Sequence, residues 1–240
     1  MNKTRLVGAI CLIAIAATAG AQDAKSTTAV TGDIGYVSAS GNTRLTTLSV
    51  GEKIAHTDGR WVLTQFAAYV LGQANGKQTA NQFRLGARAD YDFVHRLGAF
   101  AGVANERNTF AGFKSRTDEI VGLRWQAIVA PADAMSLDAG GVLTQQSNVD
   151  GTSQSDPSAR VAASYKHLFS KAAYFQQSVE FVPNLKTGGA YRMNSESALV
   201  APVSAHVGVK MNFTVRYDSR PPATFRSTDK VLTMGVQIAY

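Results

Sequence analysis

Four histidines and the serines around them are the residues of this chain best suited to covalent chemistry. The histidines are His56, His95, His167 and His206, and each is placed near a turn or at the end of an alternating segment. Hydrolysis by a serine enzyme requires a nucleophile within hydrogen-bond reach of a base. The Gly-x-Ser-x-Gly elbow that presents such a serine is absent. The sequence therefore predicts no catalytic residue, and a lipid-modifying enzyme is kept only as the alternative function.

Charged side chains at alternate positions form the second set of candidate functional residues. Glu106 and Arg107 face Arg116 and Asp118 across a predicted hairpin. Neighbouring residues on one face of a sheet stand within contact range, so such charges can pair across strands. The candidate set comprises Arg84, Arg88, Asp90, Asp92, Glu106, Arg107, Arg116, Asp118, Arg124, Lys210, Arg216 and Asp218.

The elements that position these charges are recognised by alternation of apolar and polar residues. In the segment 82–93 the odd positions are apolar, whereas the even positions carry Arg84, Arg88, Asp90 and Asp92. A period of two predicts strands with one apolar and one polar face, and the whole chain contains about twelve such segments. The others are 30–39, 44–56, 61–71, 99–108, 118–129, 135–145, 159–169, 173–182, 190–200, 206–218 and 231–240.

The final alternating segment favours a closed membrane barrel. One face of this segment carries Leu232, Met234, Val236, Ile238 and Tyr240, and the chain ends on the aromatic ring. An unprotected strand of this kind invites aggregation in a soluble domain, whereas a barrel pairs its last strand with its first. This ending resembles the signal that the barrel-assembly machinery reads. We therefore expect that machinery as a partner during insertion, and outer-membrane lipid against the apolar face.

The connections separate a membrane barrel from a soluble sandwich or lipocalin-like barrel, which also alternates but turns its apolar face inward. Short segments at 56–59, 95–98, 131–133, 170–171 and 202–204 alternate with long ones at 72–80, 109–116, 146–157, 183–190 and 218–229. Short periplasmic turns and longer external loops are typical of outer-membrane barrels. The sequence thus predicts an all-β fold, a single antiparallel transmembrane up-and-down β-barrel.

The first residues predict a secretory signal peptide. Lys3 and Arg5 precede an uncharged apolar stretch at 6–17, and Ala19-Gly20-Ala21 offers small residues for cleavage after Ala21. We expect a cleaved leader at 1–21, a barrel domain at 22–240 and a final location in the outer membrane.

Without the leader the chain has 22 basic and 17 acidic residues. The basic residues form no cluster interleaved with aromatics, so no nucleic-acid partner is expected.

No metal site or cofactor is predicted. Cys11 lies in the leader, so the mature chain has no thiolate ligand. The segment 146–157 is rich in Ser, Asn, Asp and Gly but lacks the ligand spacing of a calcium-binding loop. A solvated external loop is the simpler interpretation of this composition.

Three motifs resemble those of a known family. They are GYVSASGNT at residues 35–43, the pair Glu106-Arg107 followed by Phe110, Gly112 and Arg116, and DSRPP at 218–222 followed by Asp229. In this order they are similar to the salt-induced outer membrane protein family, a domain-of-unknown-function family. The resemblance covers nearly the whole mature chain and implies an outer-membrane barrel. It implies no particular chemistry, because the family has no established activity.

Two interpretations of the charged face stay open. In the first, Arg84, Arg88, Arg124, Lys210 and Arg216 form a selectivity ladder in a narrow passive channel that conducts small solutes and weakly favours anions. In the second, these cations pair with carboxylates into a plug, and the protein is a structural or stress-related envelope barrel. The carboxylates of that plug are Asp90, Asp92, Asp118 and Asp218. Both are compatible with twelve strands, since filled barrels have about eight and open porins about sixteen.

Overall fold

The computed structural model of this chain is a closed antiparallel β-barrel, described over residues 26–39, 45–222 and 225–240. Within these ranges twelve strands pair in chain order, and β1 pairs with β12 to close the barrel. The strands are β1 Ser26–Ala39, β2 Leu45–Asp58, β3 Trp61–Ala74, β4 Lys77–Val94, β5 Leu97–Asn108, β6 Phe113–Val129, β7 Asp133–Asn148, β8 Ser153–Leu168, β9 Tyr174–Pro183, β10 Tyr191–Pro202, β11 Val207–Asp218 and β12 Thr228–Ala239. The predicted signal peptide at 1–21 lies outside the described residues.

The antiparallel order gives the barrel two distinct ends. The turn end carries the start of β1, the end of β12 and the connections that follow β2, β4, β6, β8 and β10. The loop end carries the connections that follow β3, β5, β7, β9 and β11. Within the described ranges, no helix is long and apolar enough to cross a membrane.

Two of the segments expected to be long loops are mostly strand. β3 and β4 are joined only by Asn75 and Gly76, whose positive φ angles of 50° and 77° form a tight hairpin turn. β7 and β8 likewise extend until the residues 149–152 connect them. The prediction of a loop at 72–80 is therefore wrong, because polar residues beyond the apolar band continue the ladder of backbone hydrogen bonds.

The connection at 149–152 is stabilised by its own side chains. Oδ1 of Asp150 accepts hydrogen bonds from the Thr152 hydroxyl at 2.6 Å and from the Thr152 amide at 2.9 Å. These bonds lower the pKa of the Asp150 carboxyl. The turn is thus closed by local hydrogen bonds within the chain.

Two pairs of aromatic rings on the outer face mark a belt at the turn end. Trp61 packs against Tyr91 with ring centroids 4.8 Å apart, and His206 stacks on Tyr240 at 4.8 Å. Rings with a polar edge are typical of the boundary between hydrocarbon and water.

A second belt lies towards the loop end. Tyr191 contacts both Phe181 and Tyr217, with centroid separations of 5.5 Å in each pair. On β3 the outward residues Trp61 and Tyr69 lie about 20 Å apart along the barrel axis, for a strand tilted by about 40°. The apolar band between the belts therefore has about the height of a bilayer's hydrocarbon core in outer-membrane barrels.

The closing strand and the residue that follows it place five apolar side chains on the outer face. Its inward residue Gln237 is 5% exposed. The outward residues are between 41% and 73% exposed. They are Leu232, Met234, Val236, Ile238 and Tyr240. Their contact with lipid stays a prediction.

Two polar patches interrupt the apolar band of the outer face. The outward residue Glu52 is paired in register with Gly32 and Ala67, and Gln65 is the next outward residue on β3. On the other side of the barrel, Gln177 donates to Ser195 Oγ at 3.0 Å and accepts from Ser197 Oγ at 2.5 Å. The second patch satisfies its own hydrogen bonds, whereas Glu52 places a carboxylate within the band.

Candidate functional site

The charged residues on the inward face form the candidate functional site. Alternation along β4 turns its even residues inward, and the register sets Arg84 opposite Glu106 and Asp90 opposite Phe100. Three groups of polar contacts line the lumen: a central group that extends on β4 and β6 towards the turn end, one towards the loop end and one towards the turn end.

The central group, named here the constriction network, crosses the lumen. Its members are Arg88, Asp90, Asp92, Phe100, Arg124, Asp138, Arg160 and Glu180. Arg88 is its hub. Its Nη2 donates to Asp90 Oδ1 at 2.6 Å, and its Nη1 donates to Asp138 Oδ2 at 2.6 Å. The guanidinium lies 3.9 Å from the centroid of the Phe100 ring, a cation–π contact.

Two further arginines complete the constriction network. Arg160 Nε donates to Glu180 Oε2 at 2.5 Å, and its Nη1 lies 3.3 Å from Asp138 Oδ2. Arg124 bridges Asp90 at 3.0 Å and Asp92 at 2.7 Å. Every arginine of the network therefore contacts two carboxylates or a carboxylate and an aromatic ring.

Burial makes these pairs interdependent. Asp90 is 3%, Phe100 2% and Asp138 8% exposed. A charge removed from water needs a partner, and breaking a buried pair costs about 3–5 kcal/mol because it leaves an uncompensated charge. Loss of one carboxylate would therefore leave the neighbouring arginines of the constriction network without a partner for their buried charge.

The loop-side group surrounds a small cavity. Arg192 Nη2 donates to Asp118 Oδ1 at 3.2 Å and to Thr144 Oγ1 at 2.8 Å. Arg116 Nε donates to Gln146 Oε1 at 2.6 Å, and these residues line a cavity of about 170 Å³. Further along the wall, Arg216 Nη1 and Glu106 Oε1 are 2.5 Å apart. The Arg116–Asp218 pair is longer, at 3.7 Å.

The turn-side group forms a chain of contacts between neighbouring walls. Lys210 Nζ donates to Asp33 Oδ2 at 2.7 Å, and Gln237 Nε2 donates to Asp33 Oδ1 at 3.0 Å. The Tyr174 hydroxyl donates to Gln237 Oε1 at 2.8 Å. The Tyr174 ring in turn lies 4.2 Å from Lys166 Nζ.

One side of the lumen is less filled than the other. The constriction network comes from β4 to β9, whereas inward positions on β12 and β1 to β3 carry small residues such as Gly35, Gly51 and Gly235. Ala68 on β3 and Glu196 on β10 point inward and are nevertheless exposed to solvent. Water therefore reaches the inward face beside the constriction network.

The chain matches the family described as "Protein of unknown function, DUF481" over residues 32–240. It belongs to that family. A relative is the "Uncharacterized protein YdiY" of Escherichia coli (strain K12), 24% identical over 208 residues, which span 84% of this chain and 79% of the relative. The family membership indicated by the three motifs is confirmed.

Two solved structures align with this chain, and the first shares its fold. The COG4313 outer membrane channel from Pseudomonas putida F1 aligns with a TM-score of 0.52 at 10% identity, over 92% of this chain and 97% of that chain. The NanC porin aligns with a TM-score of 0.49 at 9% identity, over 88% and 97%. The predicted fold, a closed antiparallel barrel of twelve strands, is confirmed.

Most of the predicted charged residues of this DUF481 protein meet in the lumen, but in separate groups. Arg88, Asp90, Asp92 and Arg124 meet in the constriction network. Glu106, Arg116, Asp118, Arg216 and Asp218 belong to the loop-side group, and Lys210 belongs to the turn-side group. Arg84 lies 5.0 Å from the Phe66 ring centroid.

Arg107 is the exception and needs a correction. Its register partner is Phe83, which lies on the outer face, and Arg107 is exposed. Adjacent residues of a strand point to opposite faces, so Glu106 and Arg107 cannot both enter the lumen. Arg107 therefore lies on the outer face near the loop end and not in the lumen.

Sequence reasoning missed several lumen residues. Asp33, Asp138, Arg160, Glu180 and Arg192 all form lumen ion pairs. They stand singly in segments of weak alternation, where small residues replace large apolar ones. Each of these residues occupies an alternate position with a polar or small residue two places away. That pattern could have placed it in the lumen, because a charge on the lipid face of a membrane barrel is costly.

The histidines have partners of other kinds. His167 Nδ1 lies 2.8 Å from Asp133 Oδ1, which also accepts from the Tyr165 hydroxyl at 2.6 Å, and His56 Nδ1 lies 2.8 Å from Thr28 Oγ1. Among the hydrogen bonds of the described residues, none joins a histidine to a serine. In the same ranges no group of three or more His, Asp or Glu side chains is placed to hold a metal ion.

Proposed function

We propose that this DUF481 protein is an outer-membrane barrel whose lumen is a narrow passive channel for small solutes. The membrane location is supported by the apolar band of the outer face between two aromatic belts, and by the leader-like sequence at 1–21. In this proposal the turn end faces the periplasm, lipid covers the outer face, and the barrel-assembly machinery handles insertion.

The observation that carries the channel proposal is the accessibility of inward residues beside the constriction network. Ala68 and Glu196 are exposed although both point into the lumen. A fully packed lumen would bury them, as it buries Asp90. The open side of the lumen supports passage of water and small ions but not of large solutes.

The constriction network supports a weak selectivity. Its three arginines, Arg88, Arg124 and Arg160, are matched by four carboxylates. The loop-side group pairs its three arginines with three carboxylates, whereas the turn-side group adds Lys166, which contacts a ring and no carboxylate. A lumen of mixed sign with a cationic end gives a small preference for anions.

A second candidate is a structural envelope protein with a sealed lumen. It is favoured by the burial of Asp90, Phe100 and Asp138, which close one half of the lumen. The two candidates differ in one property, the movement of ions through the barrel. No catalytic role is proposed, because the hydrogen bonds of the described histidines, to Thr28, Asp133 and the Ala239 carbonyl, include no serine.

Single-channel recording in planar lipid bilayers tests the proposal. The protein without residues 1–21 should give small discrete conductance steps with a weak anion preference. Conductance no greater than that of the bare lipid would contradict the channel and leave the sealed envelope barrel. A heat-modifiable band on a gel, which reports the closed barrel, shows in each preparation that the inserted protein is folded.

A further inference from the structure

The turn side of the lumen carries more cations than carboxylates. Lys53 on β2, Lys166 on β8 and Lys210 on β11 all occupy inward positions. The carboxylate among their contacts is Asp33, whose two oxygens already accept from Lys210 and Gln237. Of the three lysines, only Lys210 therefore has a carboxylate partner within the described part of the chain.

Lys53 is the more open of the two unmatched lysines. It points inward, because its neighbour Gly51 faces Asp33 and its register partners are Thr31 and Phe66. Its side chain is nevertheless exposed, so the lumen is open to water at this level. An ammonium group there is available to a solute that enters from the turn end.

Lys166 is held in place by a ring and not by an acid. Its Nζ lies 4.2 Å from the centroid of Tyr174, whose hydroxyl is anchored on Gln237 at 2.8 Å. The aromatic face attracts the ammonium group but does not neutralise its charge. Lys166 and Lys53 carry like charges, and both point into the same lumen.

Two unmatched ammonium groups that come from different walls of one lumen create a local positive potential. Low-dielectric walls strengthen such a potential at short range. Each ammonium group offers three N–H donors, which suit an oxyanion with several acceptor oxygens. An anion between them would relieve their repulsion and gain charge-assisted hydrogen bonds.

We propose that the turn side of the lumen is a binding site for a small oxyanion, such as inorganic phosphate. Lys53 and Lys166 are its ligands, and Tyr174 positions Lys166. Binding requires only that the turn end is open. The proposal therefore goes beyond channel function and does not depend on conduction through the constriction network.

Isothermal titration calorimetry of the detergent-solubilised barrel with sodium phosphate, at constant ionic strength, tests the site. We expect saturable binding. The double variant Lys53→Gln/Lys166→Gln should lower the affinity by about tenfold or more, the effect of losing charge-assisted hydrogen bonds. Lys77→Gln/Lys114→Gln is the matched control, because both residues are exposed on β4 and β6 near the loop end.

Three results would overturn the site. They are heats that rise linearly without saturation in the unmodified protein, equal affinity in the Lys53/Lys166 variant, and an equal loss in the Lys77/Lys114 control. Phosphate binding without conductance would refute the channel and support the oxyanion site. Conductance without saturable phosphate binding would support the channel and refute the oxyanion site. A folded-barrel gel shift must accompany each variant, and Lys53→Arg/Lys166→Arg should retain binding because it keeps both charges.

Discussion

Arg88 and Asp90 lie two positions apart on β4 and form a bidentate ion pair, with Arg88 Nη2 2.6 Å from Asp90 Oδ1 and Nε 2.9 Å from Oδ2. Residues at this spacing share a face of the strand, so the pair forms without any contribution from another strand. It then recruits Asp138 and Arg124 from β7 and β6. A local pair on one strand thus becomes the centre of a network that crosses the lumen.

Removing the Asp90 carboxylate should destabilise the barrel strongly. In Asp90→Ala, Arg88 and Arg124 lose their shared buried partner. We expect the free energy of unfolding to fall by about 3–5 kcal/mol, measured by urea denaturation in lipid vesicles. Asp90→Asn, which keeps hydrogen-bond acceptor capacity, should lose less. A change within about 0.5 kcal/mol for Asp90→Ala would show that the buried arginines do not depend on the Asp90 carboxylate.

Replacing the carboxylate on the outer face should stabilise the barrel. Glu52 lies within the apolar band next to Gly32 and Ala67, and lipid, the proposed neighbour of this band, would not solvate its charge. In the same denaturation assay, Glu52→Leu should raise the free energy of unfolding by about 1–2 kcal/mol. Asp58→Leu is the control and should change the free energy of unfolding little, because Asp58 is exposed at the turn-end terminus of β2. A loss of stability in Glu52→Leu would place Glu52 outside the band.

Arg84 and Arg107 provide a matched pair for the inward and outward assignments. Arg84 faces the lumen beside Phe66, whereas Arg107 pairs in register with outward Phe83. Arg84→Glu should shift the reversal potential under a salt gradient towards cation selectivity, because it reverses a charge on the conduction path. Arg107→Glu should leave the reversal potential unchanged. The opposite pattern would invert the assignment of faces on β4 and β5.

Alternation along the chain was sufficient to predict the strands, because burial of one face imposes a period of two on the residues themselves. The segments 82–93 and 206–218 lie within or almost coincide with β4 and β11. Loop lengths were less predictable. Polar residues such as Lys77 and Gln78 read as a loop, but they extend a hairpin beyond the apolar band.

Most ion pairs of the candidate site could not be predicted from the sequence. Arg88 and Asp138 are separated by 50 positions, and Lys210 and Asp33 by 177. Their meeting depends on strand register and on closure of β1 against β12, which side-chain pattern does not specify. Arg107 was misplaced because it was grouped with its neighbour Glu106, although neighbours on a strand face opposite ways.

Single-channel conductance of the unmodified barrel and of Arg88→Ala/Arg160→Ala is the most direct test of a lumen narrowed by the constriction network. The unmodified protein should give small conductance steps. The double variant, which removes the two guanidinium groups that contact Asp138 and Phe100, should give steps at least about twofold larger. Ser195→Ala on the outer face should match the unmodified protein. Absence of conductance in all three folded barrels, or equal steps with and without the arginines, would contradict this account.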